Sequence, residues 1–141
     1  MGKNIKSVLV IDDDQDDQFL FQEALKEADN TVMYYDANNG AEALEKLDSG
    51  VLQTPDIIFM DVNMPIMNGP DCLSELKKSS EYKTIPVIMY STSCCAEYQQ
   101  QYIEAGAEDY IVKPSDFFQF CNILKLILNC GLPIKRISGE L

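Results

Sequence analysis

Four short stretches of this chain are apolar from end to end, and each stops on a polar residue. Val8-Leu9-Val10-Ile11 stops at Asp12, Ile57-Ile58-Phe59-Met60 at Asp61, Ile85-Pro86-Val87-Ile88-Met89-Tyr90 at Ser91, and Tyr110-Ile111-Val112 at Lys113. A fifth, less apolar run, Thr31-Val32-Met33-Tyr34-Tyr35, ends at Asp36. Strands with one wet face alternate apolar and polar residues. Unbroken runs instead suit strands buried on both faces of a parallel sheet.

Helical periodicity fills the gaps between these runs. Phe19, Leu20, Ala24, Leu25 and Ala28 predict a first helix, with acidic residues at its start where the helix dipole favours them. Ala41, Ala43, Leu44 and Leu47 predict a second, closed by Gly50, and Pro70 opens a third through Cys72, Leu73 and Leu76. A more polar fourth runs from Ala96 to Ala105 and ends at Gly106. Ser115 is the expected N-cap of a fifth, with Phe117, Phe120, Cys121, Leu124, Ile127 and Leu128 on one face. The order βαβαβαβαβα, with right-handed crossovers, gives an α/β parallel sheet with helices on both faces. Residues 1–141 are expected to form one domain, its core at about 7–129 and a short tail at 130–141.

Composition narrows the chemistry. The net charge of −12 repels nucleic-acid phosphates and anionic lipid, and suits metal cations or a basic partner. There is no histidine, so the chain cannot itself be a histidine-phosphorylated kinase or transfer protein. The five cysteines include no C-x-x-C pair, so reduced thiols are expected rather than zinc. No export signal or membrane-length apolar run is seen, and Lys6 stands where a myristoylation signal wants Ser or Thr. A cytoplasmic protein is expected.

In an open parallel sheet, ligands bind beyond the carboxyl ends of the strands. The residues expected there are Asp12, Asp13, Asp61, Ser91 and Lys113. Each alone has a plainer reading. The acidic run from Asp12 to Asp17 could be a solvated helix start, Asp61 a loop cap, Ser91 a strand-end hydroxyl, and Lys113 a turn charge. Together at one sheet edge they describe a site. Converging carboxylates repel one another and call for a cation. Oxygen ligands without His or Cys select Mg²⁺ or a close substitute such as Mn²⁺. Phosphoryl transfer needs mainly positioning and charge neutralisation, which a metal and a lysine supply.

These residues sit in VLVIDDD, DIIFMDVNMPIMNG, PVIMYSTS and DYIVKP, and the chain resembles a response-regulator receiver domain of two-component signalling. The likeness runs from about Ser7 to about Asn129, and the chain is similar to the single-domain chemotaxis and phytochrome-associated receivers. It implies a flavodoxin-like five-stranded sheet of order 2-1-3-4-5. It further implies that Asp61 is the phosphoacceptor, and that Asp12, Asp13, Asp61 and the backbone carbonyl of Asn63 hold Mg²⁺. Ser91 would be the switch hydroxyl, Tyr110 the aromatic switch residue, and Lys113 the phosphate contact before a cis Pro114. A sensor histidine kinase or phosphotransfer protein would be the donor. An unidentified downstream protein would be the target, and the chain would be a monomer or a phosphorylation-dependent dimer. No direct nucleic-acid or membrane contact is implied. Ser93, two places after the switch hydroxyl, departs from the charged or bulkier residues common there.

Three rival readings follow from the same residues. Asp12-Asp13-Asp14 offers the Asp-x-Asp of haloacid-dehalogenase-type phosphatases, but Asp16 stands where those enzymes want Thr or Val. A degenerate receiver acting only as a binding module would lack one of the acidic, hydroxyl or lysine positions. A nucleotide-binding flavodoxin-like protein would need a glycine-rich phosphate loop. Because Gly131 to Leu141 is too short for an output domain, the signal is expected to leave through the surface of the fourth helix, the Tyr110 strand and the fifth helix. Ser91 would move toward the phosphate, and Tyr110 would turn inward behind it.

Overall fold

The computed structural model describes residues 4–92 and 96–130. Five strands and five helices alternate: β1 (Ser7–Ile11), α1 (Gln15–Ala28), β2 (Met33–Ala37), α2 (Gly40–Ser49), β3 (Ile57–Asp61), α3 (Gly69–Lys78), β4 (Val87–Ser91), α4 (Ala96–Glu104), β5 (Asp109–Val112) and α5 (Phe117–Cys130). All pairings are parallel and the sheet order is β2-β1-β3-β4-β5, the flavodoxin-like arrangement expected. The chain leaves β1 to one side for β2 and returns on the other for β3. The switch point therefore opens between the carboxyl ends of β1 and β3.

β1, β3 and β4 are buried along their whole length, as their unbroken apolar runs require. β2 is the exception. It is an edge strand, exposed at Met33 and half-buried through Asp36, and it starts two residues later than its apolar run. Pairing explains the shift: the register Ser7↔Met33 to Ile11↔Ala37 aligns both strand ends, and the Met33 amide donates to the Lys6 carbonyl at 2.9 Å.

The sheet separates two cores. On one side Val8, Val10, Ile57, Phe59, Ile88 and Tyr90 meet α1 and α5 through Phe21, Phe120 and Leu124. On the other, Leu9, Ile11, Met60 and Met89 meet α2 and α3. Side chains alternate along each strand, so Asp12 and Asp61 continue the α1/α5 parity of Val10 and Phe59, as Lys113 continues that of Ile111. Ser91 and Tyr110 have the opposite parity. Cys72 and Cys121 are buried free thiols in different cores.

Local chemistry sets the helix ends. Asp14, Asn39 and Asn68 cap α1, α2 and α3 by accepting amides of the first turn, and Gly50 closes α2 in the left-handed region at φ 74°. Two expectations are corrected. Phe21, not Phe19 or Leu20, faces the core from α1; Phe19 and Leu20 are exposed because the buried stripe passes through Gln18, Phe21, Ala24 and Leu25. Asp116, rather than Ser115, starts α5: its carboxylate accepts the Phe118 amide at 2.9 Å and its carbonyl accepts the Phe120 amide.

Candidate functional site

The registers Ile11↔Met60 and Asp61↔Tyr90 put the carboxyl ends of three neighbouring strands at one level. One carboxylate oxygen each of Asp12, Asp13 and Asp61 lies within 4.8 Å of the others. Their environments differ. Asp12 is fully buried, Asp61 is nearly so, and Asp13 is exposed. A set of converging carboxylates with no nitrogen or thiolate ligand fits a hard divalent cation.

Asp12 is held from several sides. Its Oδ1 accepts the Asp14 amide at 2.9 Å, and its Oδ2 accepts the Tyr90 hydroxyl at 2.8 Å and the Lys113 ammonium at 3.1 Å. Gln18, buried under the loop, donates to the Asp12 carbonyl at 2.5 Å. Asp61 is less well satisfied. Its Oδ1 accepts the Val62 amide at 2.9 Å and lies 3.6 Å from Lys113 Nζ. Burial pushes its carboxyl up to about 6; Lys113 opposes that rise, and Asp12 and Asp13 add to it.

Lys113 is the counter-charge of the cluster. Its ammonium bridges Asp17 at 2.8 Å, Asp12 and Asp61. Burial works against its charge, but the Asp17 hydrogen bond and the Asp12 and Asp61 charges outweigh it and raise its pKa. Lys113 is thus far from a solvated turn charge, and Asp17 is more than a helix-start acid. Neither contact was legible from spacing alone.

The 62–69 loop owes its shape to one glycine. The Gly69 amide donates to the Val62 carbonyl at 2.9 Å, and a Cβ on Gly69 would stand 2.3 Å from the Asp61 carbonyl oxygen. Asn63 lies in this loop, exposed, and with Ser91 lines a cavity of about 450 Å³. Tyr98, Tyr102 and Tyr110 form its far wall. Ser91 is buried, and its carbonyl accepts the Lys113 amide at 2.8 Å. Tyr110, expected to turn inward, already lies buried, stacked on Tyr102 at 5.8 Å with the rings parallel to 3°. Ser93 lies outside the described residues.

The residue that sequence reasoning missed is Tyr90. Within an otherwise aliphatic strand, a buried tyrosine needs a partner for its hydroxyl, and strand parity places that hydroxyl beside Asp12.

Residues 8–125 match the family described as Response regulator receiver domain. The chain is 34% identical over 102 residues to Chemotaxis protein CheY1 of Helicobacter pylori, covering 70% of this chain and 81% of that protein. Two longer relatives contain a similar segment. Sensor histidine kinase CheAY of H. pylori is 35% identical over 76% of this chain, which spans 13% of its length. A protein-glutamate methylesterase/protein-glutamine glutaminase of Bacillus subtilis is 40% identical over 92% of this chain, which spans 37% of its length. Among solved structures, the phosphorylated cyanobacterial phytochrome response regulator RcpA superposes with a TM-score of 0.78 at 25% identity, covering 97% and 96% of the two chains. The Mn²⁺-bound response regulator Rcp1 gives 0.72 at 25% identity, covering 86% and 91%.

Proposed function

This chain belongs to the response regulator receiver domain family, and on that premise we propose that it accepts a phosphoryl group on Asp61 from a phosphohistidine of a sensor kinase or phosphotransfer protein. The observation that carries the reading is Asp61 itself. It is a buried carboxylate at the switch point with one backbone donor, beside two further carboxylates and one ammonium.

The chemistry follows from that placement. A carboxylate oxygen of Asp61 attacks phosphorus, the P–N bond to the donor imidazole breaks, and the leaving nitrogen takes up a proton. Asp12, Asp13, Asp61 and the Asn63 carbonyl would hold Mg²⁺, or Mn²⁺, whose charge offsets that gathering on the phosphoryl oxygens. Lys113, now shared among Asp12, Asp17 and Asp61, needs only a small shift to donate to a phosphoryl oxygen. Ser91 donates another hydrogen bond from the opposite strand parity. The chain's role is that of a signalling phosphoacceptor assisting its own phosphorylation, rather than that of an enzyme acting on a separate substrate.

We read the output as a population shift in the surface of α4, β5 and α5. Tyr110 is already inward, so the change centres on Ser91 drawing toward the phosphoryl group and on the Tyr102–Tyr110 pair closing behind it. The downstream target would be a protein, since the net charge of −12 disfavours nucleic acid. A cytoplasmic location and a monomer, or a dimer formed on phosphorylation, complete the reading. No described helix is long and apolar enough to cross a membrane.

Intact mass after incubation with acetyl phosphate and Mg²⁺ tests the core of this reading. The expected result is a gain of one phosphoryl mass, lost with EDTA and lost in Asp61→Asn. Labelling of Asp61→Asn at the parental rate would exclude Asp61 as the acceptor. Hydrogen exchange with beryllofluoride and Mg²⁺ tests the output: protection should change in residues near Ser91 and through β5, beyond the 62–69 loop.

A further inference from the structure

Tyr90 makes contact with both signs of charge in the site. Its ring is buried and packs edge-on against Phe21 and Phe59, at 6.0 and 6.3 Å between centroids, which fixes the ring plane. Held that way, the hydroxyl donates to Asp12 Oδ2 at 2.8 Å, and the ring face lies 4.8 Å from the Lys113 ammonium.

We propose that Tyr90 is a positioning residue for the cation site, its hydroxyl keeping the buried Asp12 carboxylate aimed toward Asp13 and Asp61. This rests on the cation-assisted phosphoacceptor reading above. Asp12 Oδ2 has two donors of different character. Lys113 is charged, and it must give up Asp12 to reach a phosphoryl oxygen. An incoming divalent cation also repels it. The Tyr90 hydroxyl is neutral, so it orients the carboxylate without opposing the cation, and it stays when Lys113 leaves. Without it, Oδ2 would keep only the Lys113 ammonium of its two donors while Oδ1 stayed on the Asp14 amide, the ion pair would tighten, and a buried oxygen would lose its last donor on Lys113 release.

Isothermal titration with Mg²⁺ alone, on wild type, Tyr90→Phe and Tyr82→Phe, tests the role. Tyr82 is the matched control, because its hydroxyl donates to the Asp48 carboxylate at 2.9 Å away from the cluster. Tyr90→Phe should bind Mg²⁺ roughly tenfold more weakly, the usual scale for removing an outer-shell partner, and Tyr82→Phe should bind as wild type does. The chain has no tryptophan, so its near-ultraviolet band is tyrosine absorption. The Mg²⁺-induced difference in that band should shrink in Tyr90→Phe and persist in Tyr82→Phe. Equal Mg²⁺ affinity of Tyr90→Phe and wild type would overturn the role of Tyr90 while leaving the cation reading intact. Absence of saturable Mg²⁺ binding by wild type would overturn both. If Tyr90→Phe does not fold, 3-fluorotyrosine at position 90 keeps the hydroxyl. Its fluorine resonance should then shift with the wild-type Mg²⁺ midpoint, and an unmoved resonance overturns the proposal.

Discussion

Two aspartates bracket β3, and they are put to opposite uses. Asp56, just before the strand, accepts the Lys6 amide at 2.7 Å and the Ser7 amide at 3.2 Å on one oxygen. Its own amide donates to the Ser7 carbonyl at 3.0 Å, so it stitches the start of β1 to the start of β3. Asp61, at the other end, is buried among like charges with one backbone donor, and its carboxyl is raised to about 6. A carboxylate satisfied by backbone amides stabilises the fold. A buried one crowded by other carboxylates weakens it, and retains the valence that a cation or a phosphoryl group can use.

The largest expected effect is at Asp61. Its folded pKa lies above the ordinary 3.8, so the folded state keeps a proton where the unfolded chain has lost it. Ionisation therefore costs stability above about pH 6, and that cost fades as the pH falls toward 4. In EDTA, Asp61→Asn should raise stability at about pH 8 by on the order of 2 kcal/mol. The gain should shrink to near zero at about pH 4. Urea midpoints at the two pH values measure it. A gain independent of pH would mean that the burial of the Asp61 charge is not its cause.

Asp56→Ala should move stability the other way, by about 1 kcal/mol, because two amides at the start of β1 lose a partly exposed acceptor. Hydrogen exchange should show the loss locally, at the Lys6 and Ser7 amides. A rise in stability on removing Asp56 would erase the contrast between the two ends of the strand.

Much of this arrangement is legible in the amino-acid sequence, for a physical reason. The apolar runs of β1, β3 and β4 are unbroken because those strands are covered on both faces. A parallel sheet then carries their terminal polar residues, Asp12, Asp61 and Ser91, to one edge. The edge strand β2 starts two residues after its apolar run because its register comes from pairing with β1, not from its own composition. Phe19 and Leu20 drew attention as apolar residues, although the helical stripe that meets the sheet runs through Gln18 and Phe21. Within the site, the residue types could be read but not their partners. Lys113 bonding Asp17, and Tyr90 reaching Asp12, depend on side-chain reach across separate elements. For Tyr90 a signal was present in strand parity, which puts it on the same face as Asp12 and Asp61.

The smallest predicted effect tests whether strain near Asp61 extends beyond charge. Ile66, in the loop after β3, has φ 68° and is 86% exposed. For a β-branched residue this left-handed backbone is costly, because Cβ crowds the following carbonyl, and exposure leaves the side chain little packing to offset it. The loop is held there regardless of residue 66: the Gly40 amide donates to the Met67 carbonyl at 3.1 Å, and the Gly69 amide to Val62. Asparagine tolerates the same backbone without glycine's loss of chain entropy on folding. Ile66→Asn should therefore raise stability by roughly 0.5–1 kcal/mol, equally at about pH 4 and pH 8, unlike Asp61→Asn. Combined with Asp61→Asn, the two gains should add to within about 0.5 kcal/mol, since one removes backbone strain and the other charge. A pH-dependent gain, or strong non-additivity, would show that the loop conformation and the Asp61 charge are one coupled feature.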